Sequence, residues 1–258
     1  MEWNLDPIIF SIGSFELRWY SLMFLTGLMG GYLMVKKIYS AEGKTVEWVE
    51  PLFTYIFVGT VVGMRLVHCL FYQPEYYLSN PLEILAIWKG GYASHGGFTG
   101  VIVALILYVR KYKQINFLWL ADRVSIAAMF CAGCIRVGNF FNSEIYGKAA
   151  DVPWAVTFKI VDNIPRHPSQ FYEAMGYFGI SLLLYAIYRK SDRNPFAGRL
   201  FGMVLVLGYA WRFFVEFFKE NQVAFESGMA LNMGQWLSVP FVAIGVFFII
   251  RREDAKTA

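Results

Sequence analysis

The sequence predicts an all-α polytopic membrane protein of about seven transmembrane helices, with a small outer cap containing some β structure. Three observations carry that prediction. Of 258 residues, 57% are hydrophobic and 16% are charged, whereas a soluble globular chain is usually about one-quarter charged. Uncharged runs recur at the roughly 20-residue length that crosses a hydrocarbon core. The runs are apolar on every face, where an amphipathic helix of a soluble protein keeps a polar one.

The elements follow in chain order. Asp6 and Pro7 stand where a signal peptide would carry a basic region, so no signal peptide is expected. Ile8 to Leu17 is apolar but interrupted by Gly13 and Glu16, and reads as a segment lying on the membrane surface. The first span is the uncharged run Trp19 to Val35. Residues 51–72 make a second span if Arg65 is tolerated. Gly90 to Val109 is uncharged and forms the third. Residues 115–137, 170–188 and 199–218 form the fourth, fifth and sixth, each with one or two charges. Ser227 to Ile250, again uncharged, is the seventh. The long connection, 139–169, contains Trp154, Val156, Phe158 and Ile160 at strand period between Pro153 and Pro165. That is the predicted cap, set within a single integral membrane domain over 1–258. No internal repeat is visible, which weighs against an inverted-repeat transporter.

Basic residues set the orientation. Thirteen Lys and Arg fall in one set of connections and the C-terminal tail: Lys36, Lys37, Lys44, Arg110, Lys111, Lys113, Arg189, Lys190, Arg193, Arg199, Arg251, Arg252 and Lys256. Six fall in the other set, which are Arg18, Lys89, Lys148, Lys159, Arg166 and Lys219. The richer set is therefore cytoplasmic, the N-terminus is outside and the C-terminus inside. The net charge of +4 reflects this bias and does not indicate nucleic acid. Cys69, Cys131 and Cys134 lie inside predicted spans. Cys131 and Cys134 have redox-motif spacing without a βαβ setting, so they read as small buried residues. No metal cluster and no cofactor are expected.

Four arginines fall within spans: Arg65, Arg123, Arg136 and Arg212. Each costs about 2.5–3.5 kcal/mol at a helix centre on insertion scales. Partners or a ligand must compensate. With the orientation above, Tyr20, Arg65, His95, Arg136, Glu173, Arg212 and Glu216 all reach the outer half of the membrane. Arg123 does not, and pairing with Asp122 or snorkelling accounts for it. Arg212 and Glu216 are i,i+4 and can pair on one helix. As a set, however, the residues suit an anionic lipid phosphate, which arginine's planar fork matches. His95 opens a Gly-rich helix start, Tyr92-Ala-Ser-His-Gly-Gly-Phe98, where glycines admit close approach. Arg136-Val-Gly-Asn-Phe-Phe-Asn-Ser-Glu-Ile-Tyr-Gly147 places Arg136 and Asn139 on one helix face, with Asn142 and Glu144 where the helix ends and Gly147 as a stop signal.

These motifs resemble the bacterial phosphatidylglycerol–prolipoprotein diacylglyceryl transferase family over nearly the whole chain. The resemblance rests on Arg18-Trp-Tyr20, Ser94-His-Gly-Gly97, the Arg136 to Gly147 motif, Arg166-His-Pro-Ser-Gln-Phe-Tyr-Glu173 and Arg212-Phe-Phe-Val-Glu-Phe-Phe-Lys219. There are two departures. Ile135 stands where the family usually has glycine, and Gly208 stands where it has a tyrosine four residues before the arginine, with Tyr209 three before it.

The resemblance implies a multi-pass enzyme of the bacterial inner membrane. It would move the diacylglyceryl group of phosphatidylglycerol to the lipobox cysteine of a prelipoprotein signal peptide, forming a thioether and releasing glycerol phosphate. A thiol of pKa about 8.5 must lose its proton, and histidine is suited to accept it. Charge on the leaving phosphate must be held, a task for arginine. The implied catalytic residues are His95, Arg136, Arg212 and Tyr20. The implied substrate-binding residues are Arg136, Asn139, Glu144, Gly147, Glu173, Arg212 and Glu216. The competing readings are a lipid or anionic-solute transporter using the same arginines, and a membrane scaffold.

Overall fold

The computed structural model describes residues 1–13, 15–86, 90–91, 93–220 and 230–251, without the side chains of Phe15, Ser94 and His95. The start of the predicted seventh span at Ser227, Lys89, Arg252, Lys256 and the His95 side chain lie outside what is described. Among the described residues, long helices occupy each predicted span. They are α1 (Trp19–Ala41), α2 (Val49–Val67), α4 (Ser94–Lys111), α5 (Phe117–Phe141), α6 (Ser169–Lys190), α7 (Arg199–Val215) and α8 (Met233–Ile250), with the short α3 (Pro74–Ser79) between α2 and α4. Among the described residues, four stretches are long and apolar enough to cross a membrane: Val46–Tyr72, Phe117–Phe141, Arg199–Phe218 and Met233–Ile250. The chain is thus a mostly helical, multi-pass membrane protein with a small amount of sheet.

The chain divides into two compact units, Met1–Val35 with Asp122–Ala258, and Lys36–Ala121. In the second unit α2 and α4 meet backbone to backbone. Gly59 and Gly63 face Gly96 and Gly100, and a Cβ on Gly59 would come within 2.6 Å of the Gly100 carbonyl oxygen. Small residues at such a crossing let helices gain dispersion energy where lipid offers no hydrophobic drive. A π turn, His68–Tyr72, ends α2. Beyond it the chain folds back so that Arg65, 2% exposed, donates to the carbonyls of Glu83 (2.6 Å), Ile84 (3.1 Å) and Gly91 (3.4 Å), and to that of Gly90. Its guanidinium also lies 5.0 Å from the centre of the Tyr77 ring.

In the first unit, α1 packs on α5 through Gly27 against Cys131 and Gly138 against Tyr20. Ser181 on α6 donates to the Ile126 carbonyl of α5 at 2.8 Å. Trp211 on α7 fits over Gly176 of α6 and donates to the Tyr172 carbonyl at 2.9 Å. Gly202 and Gly245 bring α7 and α8 together. Buried Asp122 accepts from the Gly198 and Phe201 amides at 2.9 and 2.8 Å. It thereby satisfies orphan donors at the α7 N-terminus, where a carboxylate is electrostatically favoured. Arg123, 1% exposed, lies 3.7 Å from Asp122 and donates to the Arg193 carbonyl. Local pairing, not snorkelling, therefore holds this arginine.

The sheet also belongs to this unit. Strand β1 (Glu2–Trp3) runs parallel to β4 (Val156–Phe158), which pairs antiparallel with β5 (Pro165–Arg166). Phe140, Val156 and Phe158 form its buried core, with Trp3 and Tyr146 against them. Of the predicted Trp154–Ile160 alternation, only the centre is strand. The stretch from Ile8 read as a surface segment is an antiparallel hairpin, β2 (Ile8–Ile12) and β3 (Phe15–Arg18), joined through Gly13 at φ +59°. Its backbone groups pair across the hairpin.

Candidate active site

The last turn of α5 and the first turn of α6 carry the polar residues that sequence reasoning grouped. Arg136 and Asn139, one helical turn apart, bond to each other, with Nη1 donating to Oδ1 at 3.3 Å. Asn139 in turn donates to Glu144 at 3.4 Å, as does Asn142 at 3.2 Å. The turn that brings Glu144 back is strained. Ser143 and Ile145 on either side have φ of 55° and 54°, the left-handed region that costs a non-glycine residue about 1–3 kcal/mol. Gln170 and Ser169 of α6 donate to the carbonyls of Glu144 (2.5 Å) and Ile145 (2.8 Å), pinning the turn. Tyr20 packs on Gly138, between Arg136 and Asn139 in sequence, and lies within electrostatic reach of Arg136 and Glu144.

From Arg136 a ladder of alternating charge crosses to α7. Arg136 Nε sits 3.0 Å from Glu173 Oε2. Lys219 Nζ bridges Glu173 Oε1 at 3.1 Å and Glu216 Oε1 at 2.9 Å. Arg212 Nη2 lies 3.5 Å from Glu216 Oε1. Asn232, just before α8, donates to Glu216 Oε2 at 3.1 Å, and Tyr177 donates to Glu173 at 3.4 Å. Gly234 leaves room for the Glu216 carboxylate, which a Cβ there would meet at 2.8 Å. The middle of the ladder is dry and its ends are open. Side-chain exposure is 2% for Lys219 and 0% for Glu173, against 16% for Arg136 and 29% for Arg212. Charges taken out of water need such reciprocal pairing, because an unpaired one costs several kcal/mol.

The structure thus brings together Tyr20, Arg136, Asn139, Glu144, Glu173, Arg212 and Glu216. Glu216 lies in a 3-10 turn that follows α7 rather than in the helix itself. Gly147 has a packing reason. Its Cβ would clash with His167 and with the Phe218 carbonyl at 2.6 Å, where the chain crosses Lys219 in an isolated bridge. His95 and Arg65 belong to the other unit, and the donors of Arg65 already serve the carbonyls named above. Gly208 faces Met129, and Tyr209 stacks on Phe241 of α8 with ring centres 4.3 Å apart. Sequence reasoning missed Lys219 as a site residue and counted it with the outer loops. Its i,i+3 spacing from Glu216 was the available signal. It also missed Tyr177 and Asn232, ordinary helix and loop residues in sequence.

Long apolar helices enclosing a buried, hydrogen-bonded row of charges define a multi-pass membrane protein with a polar centre. The model of the family "Prolipoprotein diacylglyceryl transferase" matches residues 7–251. A phosphatidylglycerol–prolipoprotein diacylglyceryl transferase of Tolumonas auensis is 48% identical over 98% of this chain and 98% of its own length. Proteins of the same name from Chloroherpeton thalassium (43% identical, 96% of this chain and 93% of that one) and Bacteroides fragilis (44%, 96% and 94%) are similar to it as well. The chain belongs to the prolipoprotein diacylglyceryl transferase family.

Proposed function

We propose that this chain transfers the diacylglyceryl group of phosphatidylglycerol to the lipobox cysteine of prelipoproteins, at the outer face of the bacterial inner membrane. The observation that carries the site assignment is the dry ladder with a partly open guanidinium at each end. Family membership and the relatives' names support the reaction. The cysteine sulfur attacks the glyceryl carbon that bears the phosphate. The carbon–oxygen bond breaks, the electron pair leaves with glycerol phosphate, and a thioether forms. His95 takes the thiol proton or orients the group that does. Arg136 and Arg212 hold the phosphate while its charge develops. Asn139 and Glu144 position Arg136 and the glycerol headgroup. Tyr20 and Glu173 shape the site, Glu216 orients Arg212, and Gly147 keeps the crossing chain close.

In this reading the chain crosses the membrane seven times as one integral domain, N-terminus periplasmic and C-terminus cytoplasmic, with 139–169 as a periplasmic cap. The test is incubation of purified protein with phosphatidylglycerol and a lipobox peptide, followed by peptide mass. A diacylglyceryl mass gain on the cysteine is expected. Absence of a gain, with lipid moved between leaflets instead, would favour transport and end this reading. Arg136→Ala is expected to lose transfer on the order of 10²-fold or more while remaining folded.

A further inference from the structure

Lys219 is an unusual residue for the end of a transmembrane helix. It is 2% exposed, yet lysine is almost never fully buried unless paired. Its ammonium touches two carboxylates that come from separate elements, Glu173 on α6 and Glu216 after α7. It makes no direct contact with the open ends of the ladder. The ladder holds three cations, Arg136, Arg212 and Lys219, against two anions, Glu173 and Glu216. Its formal charge is therefore +1. Without Lys219 it would be two closed pairs, Arg136 with Glu173 and Arg212 with Glu216, with no charge left over. The two carboxylates would also face each other across a dry gap, each drawing more strongly on its own arginine.

We propose that Lys219 is a positioning residue that sets the charge of the phosphate site. By engaging one oxygen of each carboxylate, it competes with the arginines for the two anions and loosens their hold on Arg136 and Arg212. It also makes the ladder one charge more positive than it would be without the ammonium, which favours a monoanionic phosphodiester at a site that also holds the Glu144 carboxylate, tied to Arg136 through Asn139. The inference rests on the proposed reaction and specifies its ligand, one singly charged lipid phosphate. The other groups facing Lys219 and its carboxylates are Tyr177 of α6 and Asn232 before α8, and neither carries charge in this arrangement.

The test compares Lys219→Met, Lys219→Gln and Lys219→Arg with the parent protein. Transfer to a lipobox peptide is measured against phosphatidylglycerol concentration in mixed micelles, with thermal unfolding in detergent alongside. Both neutral variants are expected to raise KM for phosphatidylglycerol about tenfold or more while kcat changes by less than about threefold. A tenfold change corresponds to about 1.4 kcal/mol of binding. Lys219→Arg is expected to restore KM to within about threefold. A folded Lys219→Met or Lys219→Gln with unchanged KM overturns the proposal. So does failure of both neutral variants to fold while Lys219→Arg folds, because Lys219 would then be only structural. If the parent protein itself transfers nothing, the proposed reaction has failed instead, and that outcome is distinguishable from either of these.

Discussion

Arg65 and Arg136 show how differently one residue type is treated in the same chain. Arg65 gives its donors to backbone carbonyls of its own unit. Arg136 sets Nε in an ion pair with a carboxylate, donates from Nη1 to an amide oxygen, and is 16% exposed. The first pattern is a fastener, and the second suits the binding role proposed for Arg136. His95 is judged by its chemistry. Replacing it with glutamine is expected to lower kcat and remove the limb of the pH–rate profile that reports its ionisation. An unchanged profile removes the base role. Asp162 offers a second pH test, outside the spans. The Arg166 side chain, bonded to it at 2.7 Å, holds its carboxyl below the usual range, with the Ile164 amide adding to this. A carboxyl depressed in the folded state contributes stability that is present above the unfolded pKa, about 3.9, and lost as pH falls through the folded value. Amide exchange protection over 156–166 is therefore expected to stay level above about pH 5 and to fall below about pH 4. Arg166→Gln should remove most of that dependence.

At the scale of elements, the long helices were legible because unbroken apolar runs admit few other structures in a bilayer. The small strands were not. β1 is two residues long and pairs with β4 across most of the chain, so no local pattern announces it. The hairpin did leave a signal, Gly13-Ser14 between two apolar runs, which its hydrophobicity masked. Within the site, Arg136 and Asn139 were readable from i,i+3 spacing. Lys219 offered the same spacing from Glu216, but its second carboxylate partner comes from another helix. Helix contacts supply the prediction here. Gly63→Val should lower the thermal midpoint sharply or prevent folding, since any Cβ there runs into the Gly96 backbone. Gly179→Ala is the control. A Cβ at Gly179 meets nothing within 4 Å, and alanine is the better helix former, so the midpoint should hold or rise.

For the whole molecule, the proposed orientation, which the basic-residue count supports, has the C-terminus inside and residue 154 outside. A cysteine introduced at Trp154, which is 58% exposed, should react in intact cells with a reagent that does not cross the inner membrane. One placed at Asp192 should react only after lysis. The reverse pattern would invert the orientation and put the ladder on the wrong side for an exported peptide.

The ladder also constrains how the protein is made. Glu173 and its partner Lys219 are 46 residues apart. At about 5–20 residues per second, the ribosome needs about 2–9 s to supply the second after the first. During that interval Glu173 has Arg136 of α5 as its one cationic partner, and α6 is poorly suited to release into lipid apart from its neighbours. α6 and α7 should therefore leave the insertion machinery together. A pause between their codons would then prolong the exposure of that charge, and damage biogenesis more than the same pause placed after α7.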